Sequence, residues 1–289
     1  MSPIRQPAVA WLFYPADEVA CARAVDGLLP GDPVAPAIGA VVPHAGWVFS
    51  GSTAALAIAA VAAADPETIV IFGAIHTPDR NAASVYASGA WRTPLGNVPI
   101  DEELARSLLG TELFSEATAA HRHEHSIEVQ LPILQRLLPA VRILPISVQP
   151  APSAAYVGRT CAAATKSHPR RVGFLGSTDL THYGPAFGFE PSGHGLDGIR
   201  WAKDINDRRL INFIKSLDAS GIVSEAARNR NACGAGAIAA LVAAMRELGA
   251  TCYTELRHTC SAECCEIEAP DRFNSVGYEA GVFTRPARN

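Results

Sequence analysis

Three hydrophobic runs in this chain end in the same way, and that repetition limits the folds open to it. Ala37–Val42 breaks into Pro43-His44-Ala45-Gly46, and Thr68–Phe72 into Gly73-Ala74-Ile75-His76. Arg171–Leu175 leads into Gly176-Ser177-Thr178-Asp179, with His182 and Tyr183 close behind. Each is a short β-rich run that stops at a small residue or turn and delivers a polar side chain. Val141–Val148 and Val276–Phe283 read as further strands. Helical patterns lie between them at Gly51–Ala64, Asp101–Leu109, Ser126–Leu138, Asp197–Ser216 and Ala235–Leu248. Asp101–Leu109 opens with acidic residues, as the helix dipole favours. Pro132 inside the third pattern predicts a kink or a later start, and Gly249 is a good cap for the last helix. Strands alternating with helices predict an α/β layered fold. No repeat, linker or charge run divides the 289 residues, so 1–289 reads as a single domain.

Composition removes several function classes. Apolar residues are 48% of the chain, which suits a globular core. The net charge of −4 and the lack of a basic block make a nucleic-acid backbone a poor partner. Ala54–Ala64 and Ala235–Met245, the longest apolar runs, are too short and alanine-rich to span a bilayer. Met1–Pro15 lacks a cleavage region and runs into Asp17 and Glu18, so no export signal is read. With that and seven irregularly spaced cysteines, a reduced cytoplasmic chain is expected.

Ligands of α/β sheets gather beyond the carboxyl ends of strands, so His44, His76, Asp179 and His182 are expected to share one rim. A loop histidine bonded to a nearby carbonyl is the bland reading of any one of them; the threefold pattern favours function for the set. Gly46, Gly73 and Gly176 would let backbone approach a ligand closely. Cys233, just before the helix Ala235–Leu248, would feel the positive helix end, which lowers a thiol pKa; a buried apolar cysteine is the alternative. In His121-Arg122-His123-Glu124-His125-Ser126-Ile127-Glu128, His125 at a helix entrance could meet substrate or move a proton, oriented by Glu128. His121 and His123 read as solvated, and adventitious metal on this loop is a competing reading. Cys260, Cys264 and Cys265 lack a partner pair for a zinc site. Cys21, Cys161 and Cys252 read as core, and His168, His194 and His258 carry no evident role. No G-x-S-x-G elbow, P-loop or dinucleotide fingerprint is present.

The motifs themselves resemble one family. Pro43-His44-Ala45-Gly46-Trp47, Glu124-His125-Ser126-Ile127-Glu128-Val129-Gln130-Leu131-Pro132, Ser177-Thr178-Asp179-Leu180-Thr181-His182-Tyr183-Gly184 and Cys233-Gly234 look like the Memo family, in bacteria AmmeMemoRadiSam system protein B. Ile4–Ala10 and Ser275–Gly281 extend the likeness from about residue 4 to about 284. The resemblance implies a single αβα-layered domain with a central sheet, similar to class III extradiol dioxygenases, which hold Fe(II) with two His and a carboxylate. It implies a metal site of His44, His76 and Cys233, with Asp179, His182 and His125 around it, and iron or copper as the metal. Thr77 after His76, Trp47, Trp11 and Ala235 depart from the family pattern, in which Arg is common in place of Ala235.

Three functions follow as expectations. The first is an iron-dependent (or copper-dependent) redox or dioxygenase-like enzyme acting on an unidentified small molecule, with His182 as general base or acid, Asp179 orienting it, and His125 contacting substrate or the bound oxygen species. The second is a non-catalytic metal-binding or adaptor protein that recognises a peptide or protein at the same pocket. The third is a metal-free enzyme with Cys233 as nucleophile and His182 as base.

Overall fold

The computed structural model describes residues 3–264 and 273–286. Four strands form its centre: Gly39–Val42, Val172–Ser177, Thr68–Gly73 and Arg142–Val148, side by side and all parallel. Ser275–Thr284 adds antiparallel to Gly39–Val42, and Cys252–Cys260 and His182–Tyr183 both pair with it. Ala83–Val85 and Phe114–Glu116 extend the other edge, completing nine strands. A separate three-stranded sheet joins Ile4–Arg5, Ala90–Thr93 and Gly96–Pro99.

Both faces of the central sheet are covered, which is why its strands are unbroken apolar runs. Val70 and Phe72 face the layer built on the helices Ala154–Thr165 and Ala235–Glu247. Ile69 and Ile71 face the opposite layer, built on Trp47–Ala62. This is the expected αβα arrangement around one central sheet. Among the described residues, no helix is long and apolar enough to cross a membrane.

Helix boundaries moved where local chemistry overrode the pattern. The alanine-rich helix starts at Trp47, directly after the Pro43–Gly46 turn, rather than at Gly51. Asp101 caps Glu102–Leu109 by accepting the Leu104 amide. Pro132 delays the next α-helix to Leu131–Leu137, where it occupies the first turn and its missing N–H costs nothing. Ser126, where the pattern began, lies outside this helix, and its Oγ accepts the Ala74 amide at 3.0 Å. The expected helix over 197–216 is broken into Leu196–Trp201, a π-helical turn Ala202–Asp207, and Arg208–Lys215. Gly249, at φ +82°, follows the last long helix as expected.

Candidate functional site

The three parallel strands that end in polar turns are neighbours in the sheet, so their carboxyl ends form one rim. His44 follows Val42, His76 follows Gly73 across the intervening strand, and Asp179 and His182 follow Ser177. Cys233 reaches the rim from the loop before the helix Ala235–Glu247: its amide donates to the Asp179 carbonyl at 3.1 Å. Gly234 permits this approach, because a Cβ there would lie 2.2 Å from the Ser177 carbonyl oxygen. Gly73 and Gly176 do something different from what the sequence suggested. They make room for Ile127 and Leu241, not for a ligand.

His44 is buried, and its amide and both ring nitrogens have partners. Its amide donates to Asp179 Oδ1 at 2.7 Å, its Nδ1 meets Ser177 Oγ at 2.9 Å, and its Nε2 lies 3.1 Å from Cys233 Sγ. The donor nitrogens of His44, His76 and His125 all lie within 4.8 Å of one another, a group that could hold a metal ion. The His76 and His125 rings stack at 4.7 Å, and His44 meets each edge-on at 5.2 and 5.3 Å. The Leu180 carbonyl, bonded by His182 Nδ1 at 3.0 Å, orients the His182 ring in place of the expected Asp179, whose Oδ1 takes the His44 amide, and Nε2 is left free of that bond. The charges of His76 and His182 both act on His44. The group within ligand distance is thus His44, His76 and His125, and Cys233 and Asp179 join it through their contacts with His44.

Burial sets the proton states. It pushes His44 well below its ordinary value, helped by His125 and His76, and it also lowers His125 and His182. Neutral imidazoles are what a metal or a general base requires. Burial alone would lower His76 too, but the hydrogen bond and charge of Glu124 outweigh it and hold that ring above its ordinary value. Burial pushes Asp179 up to about 7, so it can carry a proton near neutrality. The Cys233 thiol corrects an expectation. Burial, then the nearby Asp179 charge, raises it above the usual thiol range, outweighing any pull from the helix end.

Glu128 does not orient His125: it is fully buried, pairs with Arg5, and accepts the Ala8 and Val9 amides and the Tyr14 hydroxyl. Glu124 is the carboxylate of the site. It accepts the amides of His76, His125 and Ser126 and faces His76 Nδ1. Its place next to His125 was the available signal. His121 is buried rather than solvated, with Nε2 on the Ser84 carbonyl. Cys252 is exposed rather than core, whereas Cys21 and Cys161 are buried. Cys265 lies outside the described residues.

The donor set suits a metal. His44 and His76 each engage Nδ1 with a partner (Ser177 and Glu124), which fixes ring orientation and leaves Nε2 as the ligating atom. Two imidazoles with a thiol beside them offer softer, more donating ligation than two imidazoles and a carboxylate. A second cluster, Asp101, Glu103 and His168, is also within ligand distance. There, however, Arg170 Nη1 sits 3.1–3.2 Å from all three residues and fills the centre with its own charge. That cluster anchors a helix cap.

The Memo-like protein family model matches residues 5–282. A MEMO1 family protein of Thermococcus onnurineus is 34% identical over 98% of this chain and 100% of its own length. Another, from Methanosarcina barkeri, is 37% identical over 96% of this chain and 98% of its own. The solved structure of an uncharacterized protein from Escherichia coli K12 matches with a TM-score of 0.42 at 14% identity over 74% of this chain and 86% of that one, too distant to add to the assignment. With whole-length likeness to several relatives and its motifs gathered at one rim, the chain belongs to the Memo family.

Proposed function

We propose that the chain works as one Memo-like domain, 1–289, that binds a redox-active metal, Fe(II) in the first place and copper as the alternative, and acts on a small molecule in the cytoplasm. His44, His76 and Cys233 are its ligands in this reading. The observation that carries it is the 3.1 Å contact of His44 Nε2 with Cys233 Sγ beside the three-histidine group. The bound ion would supply Lewis acidity and one-electron redox chemistry. The protein supplies the rest. His182 Nε2 accepts or returns a proton, Asp179 stores one near neutral pH, and His125 contacts the substrate at the mouth. Metal analysis of purified protein beside a His44→Ala variant tests the binding; full metal content in the variant refutes it. Oxygen uptake by the Fe(II)-loaded protein with a catechol panel tests turnover.

A second reading, a non-catalytic adaptor that recognises a peptide or protein, draws on a different feature. Trp11 and Leu12 are each 80% exposed, on a loop whose Phe13 meets the His125 ring at 5.0 Å. Exposed aromatic and aliphatic groups beside a pocket suit a partner surface. Tight metal binding without oxygen uptake, and with a peptide captured at this rim, would favour it.

A further inference from the structure

Behind His182 sits a buried acid that the functional reading does not use. Asp207 ends the π-helical turn Ala202–Asp207, and π turns inside helices recur at functional sites. Its Oδ1 accepts the Thr181 amide at 2.9 Å and also the Thr181 hydroxyl. Its Oδ2 faces His258 Nε2 at 3.1 Å, with both side chains 1% exposed. A Cβ at Gly277 would lie 2.1 Å from this oxygen, so only glycine leaves the carboxylate its place. Gly277 clamps the same segment, its amide donating to the Thr181 carbonyl and its carbonyl accepting the Leu180 amide. Asn206, the preceding residue of the turn, donates to Thr181 Oγ1 at 3.0 Å, and its carbonyl accepts Asn231 Nδ2 at 2.8 Å. The π turn therefore grips the loop of His182 and, two residues from Cys233, the loop of the thiol.

We propose that Asp207, backed by His258, is a positioning residue of the site. Through the amide and hydroxyl of Thr181 it sets the Leu180–His182 backbone, so that the Leu180 carbonyl takes the His182 Nδ1–H and the ring keeps a bare Nε2. An unbroken α-helix over 202–207 would carry Asp207 round to a different angle and release Thr181. The exposed route to the same end, a carboxylate bonded directly to His182, would leave that acid in contact with substrate. Here the acid acts one residue removed, through the backbone. This assignment rests on reading His182 as the proton-transfer group, but its structural content can be tested without metal or turnover.

The test is ring ¹⁵N NMR of metal-free protein at a pH where His182 is neutral, with His182 assigned through a His182→Gln sample. The wild type is expected to show the pure Nδ1–H tautomer at His182. Asp207→Asn and Thr181→Val are expected to lose that single-tautomer signature, and Thr181→Ser, which keeps both bonds to Asp207, to retain it. Thermal melts of each variant accompany the spectra. If Asp207→Asn and Thr181→Val melt lower yet keep the wild-type His182 tautomer, Asp207 is merely structural and the proposal falls. It falls equally if wild-type His182 is an Nε2–H tautomer. Should Asp207→Asn fail to fold, the Thr181→Val and Thr181→Ser pair decides alone. Metal analysis of the same samples reports separately on the metal reading, so the two can fail independently.

Discussion

Glu124 holds His76 at two points: Oε2 accepts the His76 amide at 2.7 Å, and Oε1 faces ring Nδ1 at 3.0 Å. One carboxylate thereby fixes both the position of the residue and the tautomer of its ring, leaving Nε2 to ligate. Glu124→Gln keeps the volume and loses the charge. Carboxylate partners of ligating histidines are worth about 10–100-fold in metal affinity, and a loss of that size is expected in competition titrations with Zn(II) and Fe(II). Wild-type affinity in the variant would remove Glu124 from the site.

Asp179 makes the site costly to hold above neutral pH. Its folded value of about 7 lies above the ordinary 3.8, chiefly through burial. An acid raised in this way favours the folded state when protonated, so the folded chain loses stability as pH rises from about 4 to about 7. At about 1.4 kcal/mol per pH unit this amounts to a few kcal/mol. Asp179→Asn should therefore be more stable than wild type at pH 8 and close to it at pH 4 in urea unfolding. Equal differences at both pH values would contradict the assignment.

Arg5 and Glu128 form a buried ion pair, with side chains 3% and 0% exposed, that pins the N-terminal segment to the site-bearing loop. Removing one partner leaves a buried charge uncompensated, at about 3–5 kcal/mol. Glu128→Ala is expected to lose that much in equilibrium unfolding, while its folded fraction binds metal with unchanged stoichiometry. A loss below about 1 kcal/mol would show the pair to be dispensable.

The framework was legible because strand ends leave a local mark. Pro43-His44, Ala74-Ile75-His76 and Thr178-Asp179 each follow an apolar run, and a parallel sheet must bring such ends to one edge. Long-range pairing left no such mark. Both glutamates find their partners across the chain, Glu128 at Arg5 and Glu124 at His76, and apart from Glu124's place beside His125 nothing in the sequence reports either pairing. The π turn was equally hidden: Ala202–Asp207 carries an ordinary helical pattern, and the contacts that reward the break, Thr181, Asn231 and His258, come from distant segments. The direction of the Cys233 shift depends on burial by other loops, which a neighbouring helix start does not report.

Cys233 should be a slow nucleophile without metal. Its thiol lies above the usual range, so iodoacetamide at neutral pH should label it more slowly than exposed Cys252. Because ligation requires the thiolate, metal binding should release a proton and strengthen by about tenfold per pH unit for that proton. Fast labelling of Cys233 at neutral pH would instead favour the metal-free nucleophile.

The central claim is that one metal ion sits at the rim between His44, His76 and Cys233. Anomalous diffraction from crystals soaked in Fe(II) or Cu(I) tests it most directly. The account predicts a single strong peak within bonding distance of His44 Nε2, His76 Nε2 and Cys233 Sγ, and no peak at Asp101, Glu103 and His168, where Arg170 fills the cluster. An empty rim, or a peak at the Arg170 cluster instead, would contradict it.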